Sequence, residues 1–406
     1  MRRVVITGIG VVSALGNNVR DFWEALSSGR SGIGPITKID TTDFRFKNAA
    51  EVKDFDAFRH FDDKSLIWLD TFSQFGIAAA REAIADSGIV FTDELRDRSG
   101  VITGSCLGGK ETEDSLFAGL YGEGKMRFPP TSIPRVMSNA VASHVSMEFG
   151  LTGATYTMST ACSSANHAIG NAFWLVRQGT LDAAITGGSE APLTFGNLKA
   201  WEAMRVVSQD TCRPFSKDRS GMILGEGGAM FVIESLDSAL ERGTKIYAEI
   251  TGFGMSADAH HLTMPLAEGA AKAMRGALND GNTAPETVSY INAHGTATQA
   301  NDAMESNAIR LVFGEHTDKI HVSSTKSMHG HALGAAGAIE AAATVLGLHH
   351  KLLPPTANFN EPDPECNLNV IKNEAFASLT EAALSNSFAF GGLNAVLAFK
   401  RFESRR

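Results

Sequence analysis

The sequence predicts an α/β protein built from two related halves, and three observations carry that prediction. Short β-branched runs alternate along the chain with helical patterns, which implies sheets covered by helices. Ile-Thr-Gly-Ile-Gly at residues 6–10 recurs as Ile-Thr-Gly-Phe-Gly at residues 250–254. Two segments rich in small residues, Ser164 to Val176 and Ala332 to Leu348, read as helices apolar on every side and therefore buried at the centre of the protein.

In chain order, the first repeat closes a buried strand that begins at the N-terminus. A helix pattern follows at 72–87, with strands expected at 101–103, 183–186 and 229–233. Residues 236–245 read as a short helix and turn, which places the boundary between an N-terminal half, 1–244, and a C-terminal half, 245–406. The second repeat opens a matching series, with a helix at 270–278 and strands at 288–291 and 395–400. Gly8-Ile-Gly10-Val-Val-Ser13 approaches a dinucleotide fingerprint, but serine stands where the third glycine belongs. A tight strand exit is the expected role of these glycines.

Composition narrows the function classes. The 406 residues are 43% hydrophobic and 20% charged, as in ordinary globular enzymes, and the length favours two domains or a duplicated one. A net charge of -9 argues against a nucleic-acid binder, so any acidic partner must meet a local basic patch. Four cysteines without metal-ligand spacing point to a reducing, cytoplasmic setting. No signal peptide opens the sequence and no run of 18 apolar residues occurs, so neither export nor a membrane span is expected.

Thr160-Ala-Cys-Ser-Ser164 places Cys162 where a strand ends and a helix begins. Helix N-terminal amides lower a thiol pKa, so Cys162 is either a nucleophile or a packed thiol. Cys106, Cys212 and Cys366 read as packed thiols. In the second half, Asn292-Ala-His-Gly-Thr-Ala-Thr298 and Lys326-Ser-Met-His-Gly-His-Ala332 each set a glycine-flanked histidine after a strand. His294, His331, Lys326 and Cys162 together form a coherent set for acyl transfer, with a nucleophile and proton handlers. His329 and His331 with His294 lack an evident carboxylate partner, so no metal is assigned. The His260-His261 and His349-His350 pairs receive no catalytic role.

With these motifs in order, the chain resembles the elongating β-ketoacyl-acyl carrier protein synthases, types I and II, of the thiolase-like superfamily. The resemblance spans nearly the whole sequence and includes Cys212-Arg-Pro-Phe-Ser-Lys-Asp-Arg219, Leu224-Gly-Glu-Gly227 and Asn386-Ser-Phe-Ala-Phe-Gly-Gly-Leu-Asn394. It implies a five-layer αβαβα fold and a Cys-His-His enzyme. Cys162 would carry the acyl chain, and the N–H groups of Cys162 and Phe390 would hold the oxyanion. His294 and His331 would assist malonyl decarboxylation, with Lys326 and Glu305 supporting them. Thr296 and Thr298 would meet the pantetheine arm, which the acyl carrier protein supplies, so no resident cofactor is expected. Asp258 and Ala389 would belong with Phe390 to the oxyanion and gate region. Asn292, Glu340, Ser385 and Asn386 match positions that hold a monovalent cation in some relatives, or else a hydrogen-bond network.

Departures from the family pattern point to a specialised synthase acting on polyene, aryl-bearing or signalling-lipid chains. Ala389 replaces a glycine and should restrict the gate, and His329 replaces the usual threonine. Leu107 and Trp201 match pocket-lining positions. The carrier-docking segment at 63–70 keeps only Lys64 as a basic residue, beside Leu66, Ile67 and Trp68, while Lys125, Arg127, Arg205 and Arg213 lie near the expected mouth. The resemblance also implies a dimer, either of two identical chains or with a chain-length factor that lacks the cysteine. The intact Cys162, His294 and His331 argue against this chain being such a factor itself. A coenzyme A-dependent thiolase fits the duplicated fold but uses a second cysteine in place of the second histidine. A cysteine hydrolase would need an activated water where the family keeps a dry acyl tunnel.

Overall fold

The structure is a computed structural model that describes residues 1–403. Eleven strands form one mixed sheet: β1 (Val4–Ser13), β2 (Ser99–Gly104), β3 (Thr155–Met158), β4 (Ala183–Glu190), β5 (Gly227–Ser235), β6 (Ala248–Ala257), β7 (Val288–Asn292), β8 (His321–Ser323), β9 (Asn369–Val370), β10 (Ala382–Ala389) and β11 (Leu393–Arg401). Their spatial order is β9-β8-β7-β10-β11-β6-β1-β5-β4-β2-β3. From the central antiparallel contact of β1 with β6, both directions give the same pairings. These are antiparallel twice and then parallel twice, and on the β6 side a third parallel pairing adds the short edge strand β9. The chain is therefore duplicated in topology as well as in its Ile-Thr-Gly repeat.

Helices α1 (Thr71–Ser87) and α2 (Ala140–Phe149) cover the outer face of the first half-sheet, and α5 (Ala267–Asp280) and α6 (Gln299–Phe313) cover the second. Between the half-sheets lie α3 (Ser164–Arg177) and α7 (Ala336–His350), while α4 (Phe195–Met204) caps the cavity described below. Three apolar cores result. One around Phe72, Phe75 and Ile185 joins the first outer pair to the sheet. A central one holds Ala168, Phe173, Ile339 and Leu346. The third, around Met274, Ile291 and Ile309, joins the second outer pair. Helix, sheet, helix, sheet and helix make the five layers of a thiolase-like fold. Among the described residues no helix is long and apolar enough to cross a membrane.

The structure corrects the role expected for the repeated glycines. β1 does not exit at Gly8 and Gly10 but continues to Ser13. A Cβ at Gly8 or Gly10 would stand 2.0 Å from the Ala83 carbonyl oxygen and 1.9 Å from that of Ala79, both on α1. At Gly252 and Gly254 it would stand 2.1 Å from the carbonyl oxygens of Ala277 and Ala273 on α5. In both halves the missing side chain lets an outer helix lie directly on the strand, so the repeat records one packing solution used twice.

The small residues of the central helices act in the same way. A Cβ at Gly170 of α3 would meet the Phe253 ring at 2.2 Å, and one at Gly337 of α7 would meet Asn166 Oδ1 at 2.5 Å. Gly170→Ala should destabilise the protein by about 1–3 kcal/mol through overpacking, seen as a lower thermal midpoint. Gly122→Ala, at a helical position with open space around it, should leave the midpoint unchanged or slightly raised.

Candidate active site

Cys162 sits in a turn between β3 and α3. Ala161, just before it, has φ +50°, a left-handed conformation that costs an alanine energy and is held only where its surroundings enforce it. Here they do. Ser163 Oγ donates to the Thr160 carbonyl at 2.8 Å, Ser164 Oγ donates to the Ala161 carbonyl at 2.6 Å, and the Thr160 N–H donates to Ser164 Oγ at 2.9 Å. The thiol faces an internal cavity of about 250 Å³ that is also lined by His294, His331, Thr296, Thr298, Trp201, Phe388, Ala389 and Phe390. The expectation of a thiol pKa lowered by the helix start is overturned. Burial pushes Cys162 up to about 11, outweighing Lys326 and the cysteine's own N–H, so it rests as a neutral thiol.

The two histidines come from the loops after β7 and β8. Their ring centroids are 5.5 Å apart and nearly perpendicular. Burial, then the charge of Lys326, then a further histidine, His331 for His294 and His329 for His331, hold both well below the usual histidine range, so both are neutral at physiological pH. Lys326 donates to the His294 carbonyl at 2.7 Å and lies 3.3 Å from its Nδ1. Because a lysine nitrogen has only N–H groups to offer, Nδ1 accepts and the His294 proton sits on Nε2. Lys326 is itself fully buried and ion-paired with the fully buried Glu340.

Glu305 supports the site differently from the expectation. Its carboxylate accepts from the His294 N–H at 2.9 Å, the Gly295 N–H at 2.8 Å and Asn386 Nδ2 at 3.0 Å. It therefore fixes the backbone of the histidine loop and, among the described residues, hydrogen-bonds to neither imidazole. His331 Nδ1 has no hydrogen-bond partner among the described residues.

Of the four residues matched to a cation position, three share a region. Asn292 and Ser385 are register partners on β7 and β10, and Asn292 Nδ2 donates to the Glu340 carbonyl at 3.2 Å. Asn292 Oδ1, Ser385 Oγ and Glu340 Oε2 are buried oxygens without hydrogen-bond donors, a set that fits a monovalent cation. Asn386 is a correction. Side chains alternate along a strand, so it faces the outer layer, where it meets Glu305.

The mouth is built by two loops that the β6–β11 pairing brings together. Asp258 N–H donates to the Gly392 carbonyl at 2.9 Å, while its carboxylate accepts from Asn394 Nδ2 at 2.7 Å and the Leu266 N–H at 2.9 Å. Asp258 is thus a clamp between the loops. Ala389 has ordinary backbone angles, and the left-handed residues of the loop are Gly391 and Gly392, at φ +84° and +68°.

Trp201 and Phe390 both line the cavity and stack on each other, with ring centroids 6.1 Å apart. Leu107 lies outside the cavity lining, in an apolar cluster with Trp201, Leu198 and Leu333. Its N–H is held by the buried Glu190 at 3.2 Å. Arg205 is exposed between the lining residues Met204 and Val206. Lys64, Lys125 and Arg127 are exposed, with Lys125 paired to Glu123 at 2.6 Å. Sequence reasoning missed His261, Leu262 and Met264, which line the mouth. Only the pairing of Ala257 with Leu393 reveals that their loop borders the site.

Comparison with known proteins agrees with this geometry. Residues 1–239 match the family described as "Beta-ketoacyl synthase, N-terminal domain" and residues 247–360 match "Beta-ketoacyl synthase, C-terminal domain". "Nodulation protein E" of a Rhizobium species is 46% identical over 98% of this chain and 99% of its own. "3-oxoacyl-[acyl-carrier-protein] synthase 2" of Synechocystis sp. is 42% identical over 99% of both chains. Among solved structures, "The ishigamide ketosynthase/chain length factor" superposes with a TM-score of 0.95 at 37% identity, covering 99% of this chain and 100% of that one. A type II polyketide acyl-carrier protein in complex with its ketosynthase gives a TM-score of 0.90 at 31% identity, with the same coverage. The chain belongs to the β-ketoacyl synthase family. It is a condensing acyltransferase, a β-ketoacyl-acyl carrier protein synthase of fatty-acid or polyketide elongation.

Because Cys162 rests protonated, its alkylation by iodoacetamide, followed by peptide mapping, should speed up about tenfold per pH unit between pH 7 and pH 9. A flat rate would mean that the thiolate is already formed. Acidification should not protonate His294 or His331 until well below pH 6.5, so the condensation rate should show no acid limb at the pH of an ordinary histidine. Glu340→Ala would leave Lys326 buried without its counter-charge and should cost about 3–5 kcal/mol in urea unfolding.

Proposed function

We propose that the two halves, 1–244 and 245–406, divide the chemistry, the first supplying the nucleophile and the second the hydrogen-bond donors. The observation that carries this reading is the convergence of Cys162, His294 and His331 on one buried cavity. The Cys162 thiol attacks an acyl-carrier thioester, the carrier leaves with its thiol restored, and the chain stays on Cys162. Malonyl-carrier then enters and its C–C bond to the carboxylate breaks, releasing carbon dioxide and leaving an enolate. Neutral imidazole N–H groups of His294 and His331 stabilise the enolate oxygen. The enolate carbon attacks the acyl carbonyl, whose oxyanion rests on the N–H groups of Cys162 and Phe390. The Cys162 sulfur departs as thiolate and takes up a proton from solvent, and the product is a 3-ketoacyl chain two carbons longer. Handling two carrier substrates in turn makes the kinetics ping-pong.

The pantetheine arm comes with the carrier, so the enzyme keeps no resident cofactor. Thr296 and Thr298, whose hydroxyls are 2.9 Å apart on the cavity wall, meet that arm. Arg205 at the mouth steers the acidic carrier, with Lys64, Lys125 and Arg127 adding to the attraction. A monovalent cation held by Asn292, Ser385 and Glu340 would supply fixed charge beneath the histidine loops. The free cysteines suit a reducing cytoplasm.

The stacked Trp201 and Phe390 favour a flat, conjugated or aryl-bearing chain. The second reading, that this chain is the catalytic half of a heterodimer, is favoured by the likeness to a solved ketosynthase/chain length factor. The open edge strand β3 and exposed Trp68 offer a surface for either an identical or a different partner.

Cys162→Ala should abolish the acyl-enzyme adduct in mass spectrometry and condensation with it, and undiminished condensation would exclude the mechanism. In a panel of carrier-loaded acyl chains, conjugated chains should exceed saturated ones of equal length in kcat/KM by about two- to thirteenfold, matching about 0.5–1.5 kcal/mol of aromatic stacking. Equal values would remove the basis for a specialised substrate.

A further inference from the structure

We infer that His329 is a positioning residue for His331, acting through the Gly330 carbonyl, and so a determinant of the decarboxylating half-reaction. The inference rests on the reading that His331 serves that half-reaction. His329 is fully buried and lies outside the cavity lining, yet both of its ring nitrogens are engaged. Nδ1 lies 2.9 Å from the Gly330 carbonyl oxygen and Nε2 lies 2.9 Å from Thr325 Oγ1. A carbonyl can only accept, so Nδ1 carries the proton and donates. Nε2 must then accept from the Thr325 hydroxyl, and Thr325 Oγ1 in turn accepts from Asn292 Nδ2 at 3.4 Å. Burial, reinforced by Lys326, pushes His329 down to about 3, which keeps this neutral tautomer across the physiological range.

The Gly330 carbonyl belongs to the peptide that joins Gly330 to His331. The other end of that peptide, the His331 N–H, donates to the Ile223 carbonyl at 2.7 Å, and the His331 carbonyl accepts from the Gly225 N–H at 3.0 Å. Gly330 itself has φ +66°, and a Cβ there would stand 2.8 Å from Ala50 Cβ. The backbone of His331 is thus fastened at three points while its ring Nδ1 has no partner among the described residues. The aim of the imidazole therefore depends on the backbone, and His329 is the one side chain that holds the peptide plane just before it. A threonine, with one hydroxyl on its Cβ, cannot bridge Thr325 and Gly330 in this way.

The test compares His329→Asn, His329→Gln, His329→Ala and His331→Ala with the parent enzyme. The readouts are acyl transfer to Cys162, carbon dioxide release from malonyl-carrier, and the thermal midpoint. Asparagine places an N–H where Nδ1 stands and restores the Gly330 bond, whereas glutamine places its amide at the Nε2 end and restores only the Thr325 bond. Acyl transfer should stay near the parent rate in all three His329 variants. Carbon dioxide release should fall at least about tenfold in His329→Ala and His329→Gln, as expected for a misaimed group, and recover in His329→Asn. Parent-like release in His329→Ala, rescue by glutamine in place of asparagine, or a parallel loss of both half-reactions would overturn the inference. Should His329→Ala fail to fold, the asparagine and glutamine pair carries the same decision. Loss of release in His331→Ala alongside unimpaired His329 variants defeats only this inference, whereas parent-like release in His331→Ala defeats the reading of the site.

Discussion

The site depends on one buried ion pair. Lys326 and Glu340 are both fully shielded from water, so each is tolerated only because the other is there. From that position Lys326 binds the His294 carbonyl and faces its ring. Its charge adds to burial in keeping His294, His331 and His329 neutral, and it offsets part of the burial that raises the Cys162 thiol. One buried cation therefore acts on the protonation of four groups, second to burial in each, and hydrogen-bonds only to His294 among them. Its reach follows from the low dielectric around it, where a charge several ångströms away still weighs heavily.

The ion pair can exist because the duplicated architecture provides a centre away from solvent. Each half contributes a sheet, an outer helix pressed onto a glycine-bearing strand, and one central helix. Cys162 sits in the turn that leads into the central helix α3, and Glu340 lies within the other central helix, α7. The antiparallel contact of β1 and β6 joins the half-sheets, so loops remote in sequence meet at one cavity. The helices lie close because Gly170 and Gly337 leave room for Phe253 and Asn166. Bulkier residues there would separate the layers and move Cys162 away from the histidines.

Much of this was legible in the sequence. The repeat at 6–10 and 250–254, the small-residue helices and the glycine-flanked histidines rest on local patterns that survive folding, and each led to the right element. What failed was information that exists only between distant segments. Gly8 and Gly10 looked like a strand exit because the helix lying on them, α1, is remote in sequence. Asn386 looked like a neighbour of Ser385, but strand alternation sends the two to opposite faces. The loop bearing His261 and Met264 gave no sign of its place until β6 was paired with β11. The protonation of Cys162 was misread for a related reason. A helix start is visible in sequence, whereas the depth of burial that overrides it is a sum over all five layers.

That neutral thiol is consistent with the work of the site. A thiolate standing in a dry cavity would pay a desolvation cost at all times and invite oxidation or alkylation. A thiol raised to about 11 carries no such cost while it waits, and the two histidines in the same cavity stay neutral beside it. The same burial bears on the malonyl step of the proposed mechanism. There an enolate formed among neutral N–H donors would be stabilised by each of them. Neutral imidazoles therefore suit this chemistry better than charged ones, since they can stabilise the enolate without protonating it before it reaches the acyl carbon. Burial that at first sight weakens the nucleophile is what lets one cavity hold the acyl chain safely and then commit it to the new bond.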